Sequence, residues 1–161
     1  MTVKELYSLL EEKFPAALSA EWDNDGLMCC PDPDAPVRRV LCTLDVTEAA
    51  VDHAIRVGAD LILSHHPLLF HPLSSLTADT AVGRKLMALL REGISVLSFH
   101  TRADAAEGGV NDTLAGLLGL LDILPFAEGM GRIGRLPSPR SLEEFAATVV
   151  SSLGAPAVAL G

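Results

Sequence analysis

Leu61-Ile62-Leu63-Ser64-His65-His66-Pro67 is an apolar run that ends in two imidazoles and is closed by a proline. Such a run fits a strand buried on both faces, delivering polar groups at its carboxyl end. Adjacent side chains on a strand point to opposite faces, so a fully extended His65-His66 would splay its rings apart. For both rings to serve one site the backbone must turn at that point, and Pro67 gives it a reason to turn. The alternative is a pair of polar residues capping a core strand.

Working outward, residues 39–46 (Arg-Val-Leu-Cys-Thr-Leu-Asp-Val) read as an earlier strand. A helix follows from Thr47 to about Val57, with Val51, Ala54 and Ile55 on one face and Gly58 as its stop. Beyond the histidines, a helix over residues 79–92 turns Val82, Leu86, Leu89 and Leu90 inward and stops at Gly93. Residues 94–99 form a third strand, and it too ends in a histidine, His100. Strand, helix, strand, helix, strand implies parallel pairing with right-handed crossovers. The expected fold class is therefore α/β: a parallel or mixed sheet built from βαβ units with flanking helices. Parallel strands bring their carboxyl ends to one edge, where ligands of such sheets bind. His65, His66 and His100 should gather there.

The flanks are read in the same way. Thr2 and Glu5 make a capping box ahead of Leu6, Leu9, Leu10 and Phe14, which recur at helical spacing until Pro15. Residues 16–36 look mostly irregular and carry Trp22-Asp23-Asn24-Asp25-Gly26-Leu27, in which Asp23 and Asp25 are either hard-cation ligands or part of a solvated turn. A helix near Asn111 or Asp112 should face Leu114, Leu117 and Leu118 inward. Gly129, Gly131 and Gly134 suit a hairpin or a bulged strand, and they lack the strand-to-helix setting of a dinucleotide fingerprint. A second capping box, Ser141 with Glu144, opens a helix whose buried face is Leu142, Phe145, Ala146, Val149 and Leu153. Residues 157–161 read as the beginning of a strand. No composition shift marks an internal boundary, so residues 1–161 are expected to form one domain.

Of 161 residues, 49% are hydrophobic and 20% charged, a globular balance. The formal net charge of −9 and the absence of a basic run argue against nucleic-acid binding, which needs clustered Lys and Arg. Cys29, Cys30 and Cys42 form neither a CxxC pair nor an even framework, and fit a reducing compartment. Every apolar stretch is interrupted before bilayer length, and the N-terminus lacks a secretory apolar region. A cytoplasmic protein with no membrane partner is expected.

Past the third strand the chain reads His100-Thr101-Arg102-Ala103-Asp104-Ala105-Ala106-Glu107-Gly108-Gly109-Val110-Asn111-Asp112. Asp104, in the loop after His100, is close enough along the chain to face the other histidines. Imidazoles with a carboxylate suit divalent Zn, Mn, Fe or Ni rather than Ca. Gly108-Gly109 lets the backbone turn sharply, Asn111 or Asp112 would cap the helix behind it, and its amides could hold an anion; an ordinary Gly-Gly turn is the plainer alternative.

The Trp22–Leu27 hexapeptide, Leu44-Asp45-Val46-Thr47, Ser64-His65-His66-Pro67-Leu68-Leu69-Phe70 and the segment from His100 to Asp112 together resemble the Nif-three-like family, whose members are often labelled GTP cyclohydrolase I type 2 homologues. The motifs come in the family's order and the likeness covers residues 2 to 161. The resemblance implies a dinuclear metal centre, two ions per chain, in a homo-oligomer, a toroidal hexamer. It makes His65 and His66 ligands to one ion each and Asp104 a further contact. His100 would be a ligand or a neighbour lining the site and moving protons. The implied chemistry is metal-dependent hydrolysis, with a nucleotide such as GTP as a small-molecule substrate. Asp25 stands where the family usually has an apolar residue. The family's C-terminal Gly-His-x-x-x-Glu ligand motif has no match here, and His65, His66, Asp104 and His100 are few ligands for two ions. The expectation is thus the N-terminal part of a longer architecture. An alternative is a non-catalytic metal-binding or assembly module with an incomplete site, and a weaker one is a different metallohydrolase acting on phosphate esters.

Overall fold

The computed structural model describes residues 1–156, so the strand expected at 157–161 lies outside the described residues. The chain forms two compact units, Met1–Ala103 and Asp104–Gly161.

In the first unit four strands, β1 (Gly26–Cys29), β2 (Val40–Thr43), β3 (Leu61–Ser64) and β4 (Ser95–Ser98), form a sheet in the order β1-β4-β3-β2. β2, β3 and β4 run parallel, with Val40 opposite Leu61 and Leu61 opposite Ser95. β1 joins β4 antiparallel, so the sheet is mixed. β1 falls inside the stretch read as irregular. Only four residues long and followed closely by Pro31 and Pro33, it carries no period of its own, and pairing with distant Leu97 and Ser98 makes it a strand.

The helices on either side follow their predicted signals. α1 (Val3–Lys13) starts at the Thr2–Glu5 capping box. α2 (Glu48–Val57) and α3 (Ala81–Glu92) begin at Thr47 and Thr80, whose hydroxyls accept from the amides of Ala50 and Gly83, and end at Gly58 and Gly93. The pleat sends Ile62 and Val96 into a core with Val51, Ala54, Leu86 and Leu89 of α2 and α3. It sends Leu61 and Leu97 to the other face, against Val3, Leu6, Leu10 and Phe14 of the α1 segment. β3 and β4 are buried on both faces, which is why their sequences are continuously apolar or small instead of alternating. Leu90, predicted inward on α3, is 45% exposed, because Leu86 and Leu89 already fill the contact with the sheet.

α4 (Thr101–Ala105) carries the chain from the first unit into the second, so Asp104 lies on a short helix and not in the expected loop. In the second unit, α5 (Val110–Leu117) begins at Gly109 with no side-chain cap; Asn111 and Asp112 are inside the helix. The Asp112 carboxylate instead takes the Gly108 amide at 2.7 Å, so the chain's own anion occupies the donor that could have held a foreign one. Asp112 is held below the ordinary carboxyl range, first by the hydrogen bond from Arg132 and then by that amide. All five N–H groups of Arg132 are spent internally, on Asp112 and the carbonyls of Ala105, Ala106, Gly129 and Gly131.

β5 (Leu121–Phe126) and β6 (Gly131–Arg135) make the expected hairpin, with a register shift between Leu121 and Leu124. The inward face predicted for α5 is wrong at Leu114 and Leu117, which are exposed; Ala115 is the buried residue. α6 (Leu142–Leu153) has its capping box, but none of its residues is buried, so its apolar stripe is not the core face the periodicity suggested. Periodicity reports an apolar face, and only a packed neighbour turns such a face into a core.

Candidate metal centre

β3 ends at Ser64, and its backbone keeps pairing for two more residues: His65 N–H donates to Thr43 O and His66 N–H to Leu44 O. The chain then bends. Ser64 Oγ donates to the His66 carbonyl at 2.9 Å, so in the 2.8 Å contact between Ser64 and Ser98 the Ser98 hydroxyl must be the donor. This buried relay holds the turn that the two imidazoles need. Their ring centroids lie 5.1 Å apart instead of splaying to opposite faces. β4 runs alongside, with Phe99 N–H donating to Ser64 O, and delivers His100 to the same edge. The His100 ring is 5.1 Å from that of His65 and 5.5 Å from that of His66.

One nitrogen from each of His65, His66 and His100 lies within 4.8 Å of the others. A tetrahedral zinc would hold imidazole nitrogens about 3.3 Å apart, so modest side-chain rotation brings these three onto one ion. The donor set fits a borderline divalent metal. Asp104 opens the second unit, four residues beyond His100; the cluster itself comprises the three histidines. His53 on α2 and the exposed His71 do not join it.

Two carboxylates touch the cluster's outer sides. Asp45 Oδ1 lies 2.7 Å from His66 Nδ1, and Asp23 Oδ1 lies 3.0 Å from His100 Nδ1. Asp23 is not the solvated turn residue that its sequence context also allowed. Its side chain is 0% exposed and also accepts from Asn24 N, Thr101 N and Thr101 Oγ1. Burial works against its charge, but the hydrogen bonds from Thr101 and His100 outweigh that and hold the carboxyl below its ordinary value.

Asp25 is likewise internal. It accepts from Nε and Nη2 of Arg102, from Ser19 Oγ and from the His100 amide. Arg102 also donates to Glu11 and the Phe14 carbonyl, and stacks 5.1 Å from the Phe99 ring centroid. Burial alone would lower the guanidinium's pKa; the bonds to Asp25 and Glu11 raise it instead. Gly26, next in the chain, has φ +108°, and a Cβ there would sit 3.0 Å from the Tyr7 hydroxyl, so the close fit of this loop requires glycine. Asp45, Asp23, Arg102 and the Ser64–Ser98 relay were not assigned these roles from sequence. A carboxylate beside each strand-end histidine is visible only after folding.

Trp22 is 63% exposed and stands beside the cluster, 6.2 Å from both the His100 and Phe70 ring centroids. Its loop is anchored on both sides, by Asp23 within and by Asn24 Nδ2 donating to Leu69 O.

The DUF34/NIF3 (NGG1p interacting factor 3) family profile matches residues 1–161. The GTP cyclohydrolase 1 type 2 homolog of Clostridium perfringens is 37% identical, covering 96% of this chain and 61% of the relative. That of Streptomyces coelicolor is 34% identical, over 99% and 58%. Among solved structures, reduced HcgD from Methanocaldococcus jannaschii superposes with a TM-score of 0.85 at 32% identity, over 94% of this chain and 60% of that one. The Staphylococcus aureus hypothetical protein SA1388 gives 0.86 at 29%, over 98% and 66%. The chain thus spans about three fifths of the length of these two curated relatives. On these matches and on the mixed α/β sheet with its strand-end histidines, the chain belongs to the DUF34/NIF3 family.

Proposed function

We propose that this chain binds a divalent transition-metal ion through His65, His66 and His100, and that it serves metal-dependent hydrolysis of a small molecule. The convergence of three imidazoles at the carboxyl ends of the parallel strands β3 and β4 carries the reading. When bound, the ion would polarise a carbonyl or phosphoryl oxygen and lower the pKa of water. His65 and His66 are held by the β3 turn and His100 by the end of β4, so the protein supplies a fixed donor set open on the His66 side, where that side chain is 45% exposed. Resemblance adds Asp104 to this set, and the names of the relatives make a nucleotide such as GTP the first substrate to try. A non-catalytic metal-binding module is the second reading, favoured by a cluster that, among the described residues, is built of three imidazoles alone.

Metal analysis of protein purified without a histidine tag tests the first claim. At least one equivalent of Zn or Mn per chain is expected after loading and dialysis, and His65→Ala with His66→Ala should remove it while the helical signal persists. No retained metal in the parent protein refutes the reading. Turnover of GTP or of a generic phosphoester by the loaded protein separates hydrolase from module.

A further inference from the structure

We infer that Asp23 and Asp45 are positioning residues that set the tautomers of His100 and His66, so that both rings present Nε2 to the cluster. The inference deepens the metal-binding reading and rests on it for its affinity arm alone.

A carboxylate is an acceptor only, so an imidazole nitrogen bonded to it must carry the proton. Asp23 Oδ1 faces Nδ1 of His100 and Asp45 Oδ1 faces Nδ1 of His66, which leaves the lone pair of each neutral ring on Nε2. A metal bonds to that lone pair, and the partner on the far nitrogen fixes the ring's rotation and raises its basicity.

The two carboxylates differ in how firmly they do this. The Asp23 side chain is fully buried and receives four hydrogen bonds, from His100 and the Asn24 amide on one oxygen and from the Thr101 amide and hydroxyl on the other. Each oxygen therefore faces an obligate backbone N–H, so the group cannot turn away from His100 without leaving an amide unpaired. Asp45 is 55% exposed and holds His66 across an open, salt-screened gap. The structure thus makes His100 the preset ligand and His66 the adjustable one. The backbone amide of His100, which donates to Asp25, adds a second anchor to the same residue.

The test combines affinity with a direct view of the tautomer. In metal-free protein at pH 8, side-chain nitrogen NMR should show His100 and His66 protonated at Nδ1 and bare at Nε2. Asp23→Asn should lower zinc affinity on the order of 10- to 100-fold and shift the His100 signals toward the other tautomer. Asp45→Asn should do the same to His66 with a smaller loss, and raised salt should weaken only the Asp45 effect. Asp60→Asn is the control: it weakens an acceptor of the Arg38 and Arg39 amides at the opposite end of β3 from the histidines, so stability should fall while zinc affinity and the His100 tautomer persist. A His100 protonated at Nε2 in the parent protein overturns the inference, even if Asp23→Asn fails to fold. So does equal loss of zinc affinity in Asp23→Asn and Asp60→Asn. If the parent binds no zinc, the metal reading fails and the NMR arm still decides the tautomer.

Discussion

Replacing Asp25 with alanine strips the guanidinium of Arg102 of its best-buried counter-charge. Arg102 is 3% exposed as a residue, and the Asp25 side chain 2% exposed, so water cannot substitute for what is lost. Breaking a buried pair by removing one partner costs roughly 3–5 kcal/mol, against about 0–1 for an exposed pair. Glu11 still receives Arg102 Nη1, and its side chain is 31% exposed, which places the expected loss near the lower end, about 3 kcal/mol. That is a large share of the 5–15 kcal/mol that holds a typical domain. Urea denaturation followed by circular dichroism measures it, with an unchanged slope expected. Because the same carboxylate takes the His100 amide and fixes the loop bearing Trp22 and Asp23, zinc affinity should fall together with stability. The double replacement Asp25→Leu with Arg102→Met should recover part of the loss, since the buried guanidinium is gone, while the half-buried Glu11 carboxylate loses its partner and the His100 amide its acceptor. A loss under about 1 kcal/mol for Asp25→Ala would show that solvent reaches the pair, and would refute this account of the loop.

Three further outcomes are expected. Ser64→Ala interrupts the relay from Ser98 to the His66 carbonyl, costing about 1–3 kcal/mol for the buried groups left unpaired and weakening zinc binding; denaturation with parallel zinc titration checks both. Burial opposes the charge of Asp23, but hydrogen bonds win and depress its pKa; amide donors from Arg38 and Arg39 depress that of Asp60. Their contributions are therefore full above the ordinary Asp value of about 3.9 and are lost as pH falls through the lower folded values. Asp60→Asn should lower stability at pH 7 and make the acid loss below about pH 4 shallower; an unchanged acid limb would contradict this. Finally, Trp22 is the single tryptophan, and Cu²⁺ or Ni²⁺ on the neighbouring histidines should quench its emission. The quenching should vanish in the His65→Ala, His66→Ala variant, and its persistence there would place the metal elsewhere.

Local order made much of this architecture legible. Thr2 with Glu5, Thr47 with Gly58, and Ser141 with Glu144 are cap signals that act within a turn of the helix they start or stop, and each was found where it was read. The continuously apolar β3 and β4 segments announced strands buried on both faces, and parallel topology then obliged His65, His66 and His100 to share an edge. What escaped detection had no local signature. β1 exists because β4 pairs with it across about seventy residues of chain, α4 is too short to show a period, and the stripe of α6 is apolar without being buried.

The sequence by itself determined which residues could bind a metal and which edge of the sheet they would reach, because strand order and hydrophobic period are properties of neighbouring residues. Only the tertiary structure decided how the histidines are held. Asp23 meets His100, and Asp25 meets Arg102, at a separation of 77 residues, and Asp45 meets His66 at 21. In sequence those acids look like turn residues made for water. Burial against distant donors turned them into the fixed acceptors on which the geometry of the site depends.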